Sequence, residues 1–173
     1  MGIRSACSTR AGVRQKPSRM GQEIERKFLV LNEDWKAGAV GTFFHQGYLN
    51  RHPQRSVRVR VKGQQAFLTI KGMVSEISRF EYEYPVPLAD AEHMLKELCE
   101  PPTLEKTRYL AEYEGMCWEI DEFHGDNAGL VVAEIELENE EQPFAKPPWL
   151  GEEVSQDPRY LNINLSQHPY RQW

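Results

Sequence analysis

A mostly β chain that closes into an eight-stranded antiparallel barrel with a few flanking helices is predicted by three observations. Segments of strict two-residue alternation recur along the sequence, separated by short turns. Each of the clearest segments sets charge on one face and apolar side chains on the other. Whole faces also carry one sign of charge, as with Arg58, Arg60 and Lys62 in one segment and Glu134, Glu136 and Glu138 in another.

The first segment, residues 23–30, places Glu23, Glu25 and Lys27 on one face and Ile24 on the other. A loop or short helix at 34–38 leads to a strand at 43–49. In Ser56–Lys62 three valines oppose the three cations, and Lys62-Gly63-Gln64 makes a tight hairpin into the strand that carries Lys71. The strand at 79–84 presents Glu81 and Glu83, and Pro85 and Pro87 are expected to end it. Residues 89–99 space Met94, Leu95 and Leu98 as a helix does, and this helix is expected to pack on the outside of the barrel. A second hairpin turns at Glu114-Gly115. Its first strand, 103–113, puts Lys106 and Arg108 on the same face as Leu104 and Leu110. Its second strand opposes Glu119 and Asp121 to Trp118 and Ile120, with Asp121 the more central of the acids. The glycines at 125 and 129 turn the chain into a last strand at about 129–138.

Like charges side by side on a sheet repel, so an exposed face normally mixes its signs. Faces of a single sign make sense when they line a closed lumen, where cations hold a polyanion and carboxylates hold a divalent metal. The usual barrel is then inverted, with charge inside and apolar side chains outside under helices.

With 173 residues, 40% hydrophobic content and no long apolar run, one soluble domain without a membrane span is expected. Residues 1–19 contain Arg4, Arg10, Arg14, Lys16 and Arg19 and no acid, and read as a disordered basic extension preceding a single domain at 20–173, with Met20 a candidate start. They lack the apolar stretch of a secretory signal, so a cytoplasmic location is expected. The net charge of −5 argues against a nucleic-acid partner. His45, His52, His93, His124 and His168 are scattered without ligand spacing, and no GxxxxGK[ST] phosphate loop is present.

The chain resembles the CYTH superfamily, the triphosphate tunnel metalloenzymes. The resemblance rests on the opening ExExK (Glu23, Glu25, Lys27) and on an ordered set after it: QGYL at 46–49, RVR at 58–60, TIKG at 69–72, EYEY at 81–84, EKTRY at 105–109, EIELE at 134–138, then WLGEEVS and RYLN. It is similar most of all to the compact bacterial branch that hydrolyses inorganic triphosphate. The resemblance implies that Lys27, Arg58, Arg60, Lys71 and Arg108 grip the triphosphate. It places Mg²⁺ or Mn²⁺ on Glu23, Glu25, Glu134 and Glu136 with support from Asp121 and Glu138, and gives Glu81 and Glu83 an outer role around the metal and its waters. It also makes Lys106 the activator of the attacking water. Burial and nearby guanidinium groups would lower the pKa of Lys106 and carboxylates would raise it, and the sequence leaves that balance open. Two other functions stay open: a nucleotide or organic triphosphate enzyme of the same fold (a class IV-type adenylate cyclase, a thiamine triphosphatase, a nucleoside triphosphatase), and a non-catalytic polyphosphate-binding module. The expected partner is a small-molecule triphosphate, with oligomeric state undetermined.

Overall fold

The computed structural model describes residues 22–75 and 77–173; the basic extension at 1–19 and Met20 lie outside the described residues. Eight strands run antiparallel in the order β5 (Ser78–Val86), β4 (Gln65–Met73), β3 (Ser56–Lys62), β2 (Gly41–Asn50), β6 (Glu100–Tyr113), β7 (Met116–Phe123), β8 (Val131–Leu137) and β1 (Gln22–Val30). Pairing of β1 back onto β5 closes the barrel, with Glu23 opposite Arg79.

Turn chemistry sets the hairpin registers. Glu114 (φ 48°) and Gly115 (φ 74°) both adopt left-handed backbone, as a two-residue type I′ turn requires, and Tyr113 then pairs with Met116. Gly63, at φ 57°, does the same work between β3 and β4, where Lys62 pairs with Gln65. Because side chains alternate, these registers send Arg58, Lys106, Asp121 and Glu134 inward and Val59, Trp118, Ile120 and Ile135 outward.

The barrel is inverted, as the faces of single charge imply. Its main apolar core lies outside β1, β7 and β8, where Phe28, Trp118, Ile120, Ala133 and Ile135 are buried beneath Trp35, Phe144 and Trp149. Trp118 meets Phe28, Phe144 and Trp149 edge to face at 5.7–5.8 Å between ring centroids. Over β3 and β4 the cover is helix α1 (Leu88–Glu97), which seats Ala91 and Leu95 on Val59 and Ala66. A third apolar group, Leu104, Phe123, Leu130 and Val132 with Leu165 of the short helix α2 (Asn162–Leu165), closes one end of the lumen. Among the described residues no helix is long and apolar enough to cross a membrane.

Three local expectations are corrected. Strand β5 runs through Pro85 to Val86; it pairs with β1 only as far as Phe80, so beyond that point Pro85 lies on an open edge where its missing N–H breaks no ladder. A ninth strand, β9 (Leu150–Glu153), joins β1 at Phe28 and Val30, taking over the side of β1 that β5 leaves vacant. The one long helix among the described residues, α1, covers one flank, and the outer core on β1, β7 and β8 is roofed by a single helical turn carrying Trp35 and by the proline-containing segment 138–150, with Pro147 and Trp149 buried.

If this outer layer is the true core, Trp118→Ala should cost about 3–5 kcal/mol of unfolding free energy by urea denaturation. A loss below about 1 kcal/mol would show that the sheet is held together elsewhere.

Candidate active site

Two networks of ion pairs, the first largely buried and the second part-buried, line the inside of the barrel. In the first, on β1, β6, β7 and β8, Lys27 Nζ lies 2.5 Å from Glu134 and 2.9 Å from Glu25. Arg108 donates to both oxygens of Asp121 at 2.6 Å, to Glu134 at 3.1 Å and to Glu119. Lys106, 1% exposed, donates to Asp121. In the second, on β1, β3, β4 and β5, Lys71 sits between Glu23 (2.7 Å) and Glu81 (2.8 Å). Arg60 donates to Glu83 at 2.7 Å, and Thr69, fully buried, donates to Glu83 at 2.9 Å while accepting from Arg58 at 3.3 Å.

Register explains why these pairs form. Glu119 stands directly opposite Glu134 across β7 and β8, an arrangement that repels unless a cation intervenes, and Arg108 bonds to both. Glu25 stands opposite Glu136 across β1 and β8, a second like-charge pairing on the lumen face. Phe44 of β2 supplies an apolar pillar: Arg60, Lys62, Lys106 and Arg108 surround its ring with cationic groups 5.3–5.9 Å from the centroid.

The charges shift according to partner count. Burial by itself would lower Lys27 and Lys71, but Glu134 and Glu25 around the first and Glu23 and Glu81 around the second hold both well above the usual lysine pKa. Lys106 goes the other way. Burial and then the Arg108 charge push it down to about 8, because Asp121 is engaged chiefly by Arg108 and offers Lys106 the weaker share. Burial and Arg58 lower Arg60 to about 10. Burial would raise Glu134, yet Lys27 and Arg108 hold it well below the carboxylate range. Burial would likewise raise Glu81, but Lys71 outweighs it and brings its pKa to about 2.

Of the sequence-derived site residues, Glu23, Glu25, Lys27, Arg58, Arg60, Lys71, Glu81, Glu83, Lys106, Arg108, Asp121, Glu134 and Glu136 come together on the lumen face. Glu138 does not: β8 ends at Leu137 and Glu138 is exposed, its backbone N–H donating to Gln142. Glu81 pairs with Lys71, and Glu83 with Arg60 and Arg58. Phe44, Gln46, Tyr48, Thr69 and the segment 161–164 also reach the site and were not singled out from sequence. QGYL and TIKG carried the signal for three of them, since alternation phases Gln46, Tyr48 and Thr69 with the cations.

A cavity of about 100 Å³ opens onto Glu25, Lys27, Tyr48, Arg58 and Lys71 beneath residues 161–164. A larger one, about 170 Å³, lies against Thr103, Glu105, His124 and Asp126 and contains none of the lumen cations, so the smaller cavity marks the site.

The donor chemistry fits a hard divalent cation. Glu25 and Glu136 offer carboxylate oxygens on neighbouring strands beside the cations. Among the described residues no group of three or more acidic, His or Cys side chains is arranged around a metal position. Mg²⁺ requires no such cage, because it keeps several waters and binds through one or two carboxylates plus substrate phosphate oxygens.

A closed barrel with buried, interleaved cations and carboxylates inside and its apolar core outside defines a tunnel protein for a small polyanion. The chain belongs to the CYTH domain family, whose model matches residues 21–170. It is similar to an inorganic triphosphatase of Acetivibrio thermocellus, 51% identical over 152 residues that cover 88% of this chain and 97% of that protein. An inorganic triphosphatase of Nitrosomonas europaea is 40% identical over 150 residues, covering 83% of this chain and 96% of its own. A crystal structure of an inorganic triphosphatase superposes with a TM-score of 0.61 at 36% identity, covering 83% of this chain and 93% of the other.

The Glu81 shift predicts an acid limit to stability. Its folded pKa of about 2 lies below the ordinary 4.5, so its contribution is complete above about 4.5 and is lost as pH falls toward 2. Melting temperature should therefore drop across that window more steeply for wild type than for Glu81→Gln. Equal slopes would mean that the Lys71–Glu81 pair does not couple protonation to folding.

Proposed function

We propose that this chain hydrolyses inorganic triphosphate to diphosphate and phosphate inside the barrel, with Mg²⁺ or Mn²⁺, acting in the cytoplasm as a single domain from about residue 20. The observation that carries this reading is the convergence of buried Lys27 and Arg58 with part-buried Arg60 and Lys71 on one closed lumen beside a row of carboxylates. The names and coverage of the relatives support it.

Each residue then has a task. Triphosphate carries about four to five negative charges near neutral pH, and phosphoryl transfer depends on holding and neutralising them. Arg58, Arg60 and Arg108 offer planar forks to the phosphoryl oxygens, and Lys27 and Lys71 add point charges. In the absence of substrate the carboxylates keep these cations aimed and paired. Glu25 and Glu136, with Glu23 and Glu134 nearby, would hold the divalent ion. When bound, that ion would supply neutralisation of the triphosphate's charge and orientation of water. Lys106 in its neutral form accepts the proton as water attacks the terminal phosphorus and the bond to the diphosphate oxygen breaks.

Phosphate release from inorganic triphosphate, ATP and thiamine triphosphate, with cyclic AMP measured alongside, tests the assignment. Rapid release from inorganic triphosphate alone, abolished by EDTA and restored by Mg²⁺ or Mn²⁺, is expected. Cyclic AMP or a strong preference for an organic triphosphate would replace this reading with another activity of the family, and metal-independent binding without turnover would leave a binding module.

The role of Lys106 has its own signature. Because the neutral amine is the active form, kcat should rise with pH and level off above about 8. Lys106→Met should lower kcat by about 10²–10⁴-fold, lose that pH dependence and leave triphosphate binding intact. An unchanged profile in the variant would assign the proton to another acceptor.

A further inference from the structure

Gln46 on β2 is completely buried in the lumen. Among the described residues it is the one side chain whose donor and acceptor are both buried and without a hydrogen-bond partner. Its neighbours sharpen the question. It stands directly opposite Arg60 on β3 and opposite Leu104 on β6, two pairs along from Lys106 and on the same face. The Nε atoms of Arg58 and Arg60 are buried and unpartnered too, so unmet hydrogen-bonding capacity gathers where β2 meets β3.

An unpaired buried amide lowers stability, and an apolar side chain of the same size would fill the position without that penalty. The amide therefore points to something that enters the lumen. What enters must satisfy two opposite needs. Gln46 Nε2, like Arg58 Nε and Arg60 Nε, requires an acceptor, and a phosphoryl oxygen provides one. Gln46 Oε1 requires a donor, and a fully ionised triphosphate has none to offer; water has. A carboxylate here would pair with Arg60 and repel the anion, whereas the amide adds no charge.

We propose that Gln46 contacts both reactants of the hydrolysis, donating from Nε2 to a phosphoryl oxygen held by Arg60 and accepting at Oε1 from the attacking water on the side of Lys106. The inference rests on the triphosphatase reading above. Its placement is fixed by Gly47: a Cβ there would stand 2.9 Å from Cys99 Cβ and 3.1 Å from Thr103 Cγ2, so glycine lets β2 press against its neighbours and holds Gln46 in the lumen.

The test compares wild type with Gln46→Met and Gln46→Glu in steady-state hydrolysis of inorganic triphosphate with Mg²⁺, alongside thermal melting. Gln46→Met removes both contacts while filling the volume; it should melt no lower than wild type, lose about 10–100-fold in kcat and shift KM by less than about threefold. Gln46→Glu keeps the acceptor but adds repulsion, and its loss should fall mainly on KM. Should either variant fail to fold, the side-chain amide resonances of Gln46 in the Lys106→Met protein decide: they should move on addition of inorganic triphosphate with Mg²⁺. Normal wild-type turnover with Gln46→Met within about twofold in kcat and KM, or amide resonances that stay still, would overturn the role of Gln46 alone. Absence of triphosphate turnover in the wild type would instead overturn the reading on which it rests.

Discussion

Charge buried in a low-dielectric interior is tolerated only when opposite charge lies within hydrogen-bonding distance, and the architecture of this barrel follows from that requirement. Lys27, Lys106, Asp121 and Glu134 are all buried, and each touches an ion of opposite sign. Strand order makes this possible. The mixed strand β1 lies between acidic β8 and acidic β5, so Lys27 reaches Glu134 on one side while Glu23 reaches Lys71 beyond the other. Arg108 resolves the like-charge register of Glu119 and Glu134 by bonding to both.

Filling the lumen with charge displaces the hydrophobic core to the outside. The sheet is then stabilised by what covers it: the aromatic layer around Trp118 on one flank, α1 on another, and the apolar plug at one end. These packed layers make the walls stiff, and stiffness keeps like charges at fixed positions when they would otherwise spread apart. A polyanion entering such a wall meets charges already oriented, with little reorganisation left to perform.

The same pairing logic separates three lumen lysines that look alike in sequence. Lys27 and Lys71 each sit between two carboxylates and hold their protons firmly. Lys106 shares the carboxylate it touches, Asp121, with Arg108, and it is lowered to about 8. Of the three, Lys106 alone is thereby able to shed its proton near neutral pH, as the role proposed for it requires, while Lys27 and Lys71 keep their charge. Groups whose surroundings drive their pKa values apart are those that divide the labour of a reaction.

Alternation by itself determined the barrel and most of its lining. Period-2 patterning decides which face a side chain takes, so Glu23, Lys27, Arg58, Arg60, Lys71, Glu81, Arg108 and Glu134 were legible as one charged lumen before any coordinates. The hairpin at Glu114-Gly115 was legible too, because only a few turns suit its residues. Periodicity does not say where a strand stops or what lies across the lumen. Glu138 keeps the phase of Glu134 and Glu136 yet falls past the end of β8, and β9 carries too short a pattern to register as a strand. Side-chain contacts between strands decided that Asp121 is shared, that Glu83 serves Arg60 and that Gln46 is left unpartnered. Those facts depend on the register and curvature of the folded sheet, which set the distance between side chains on its inner face and therefore which charge each one answers.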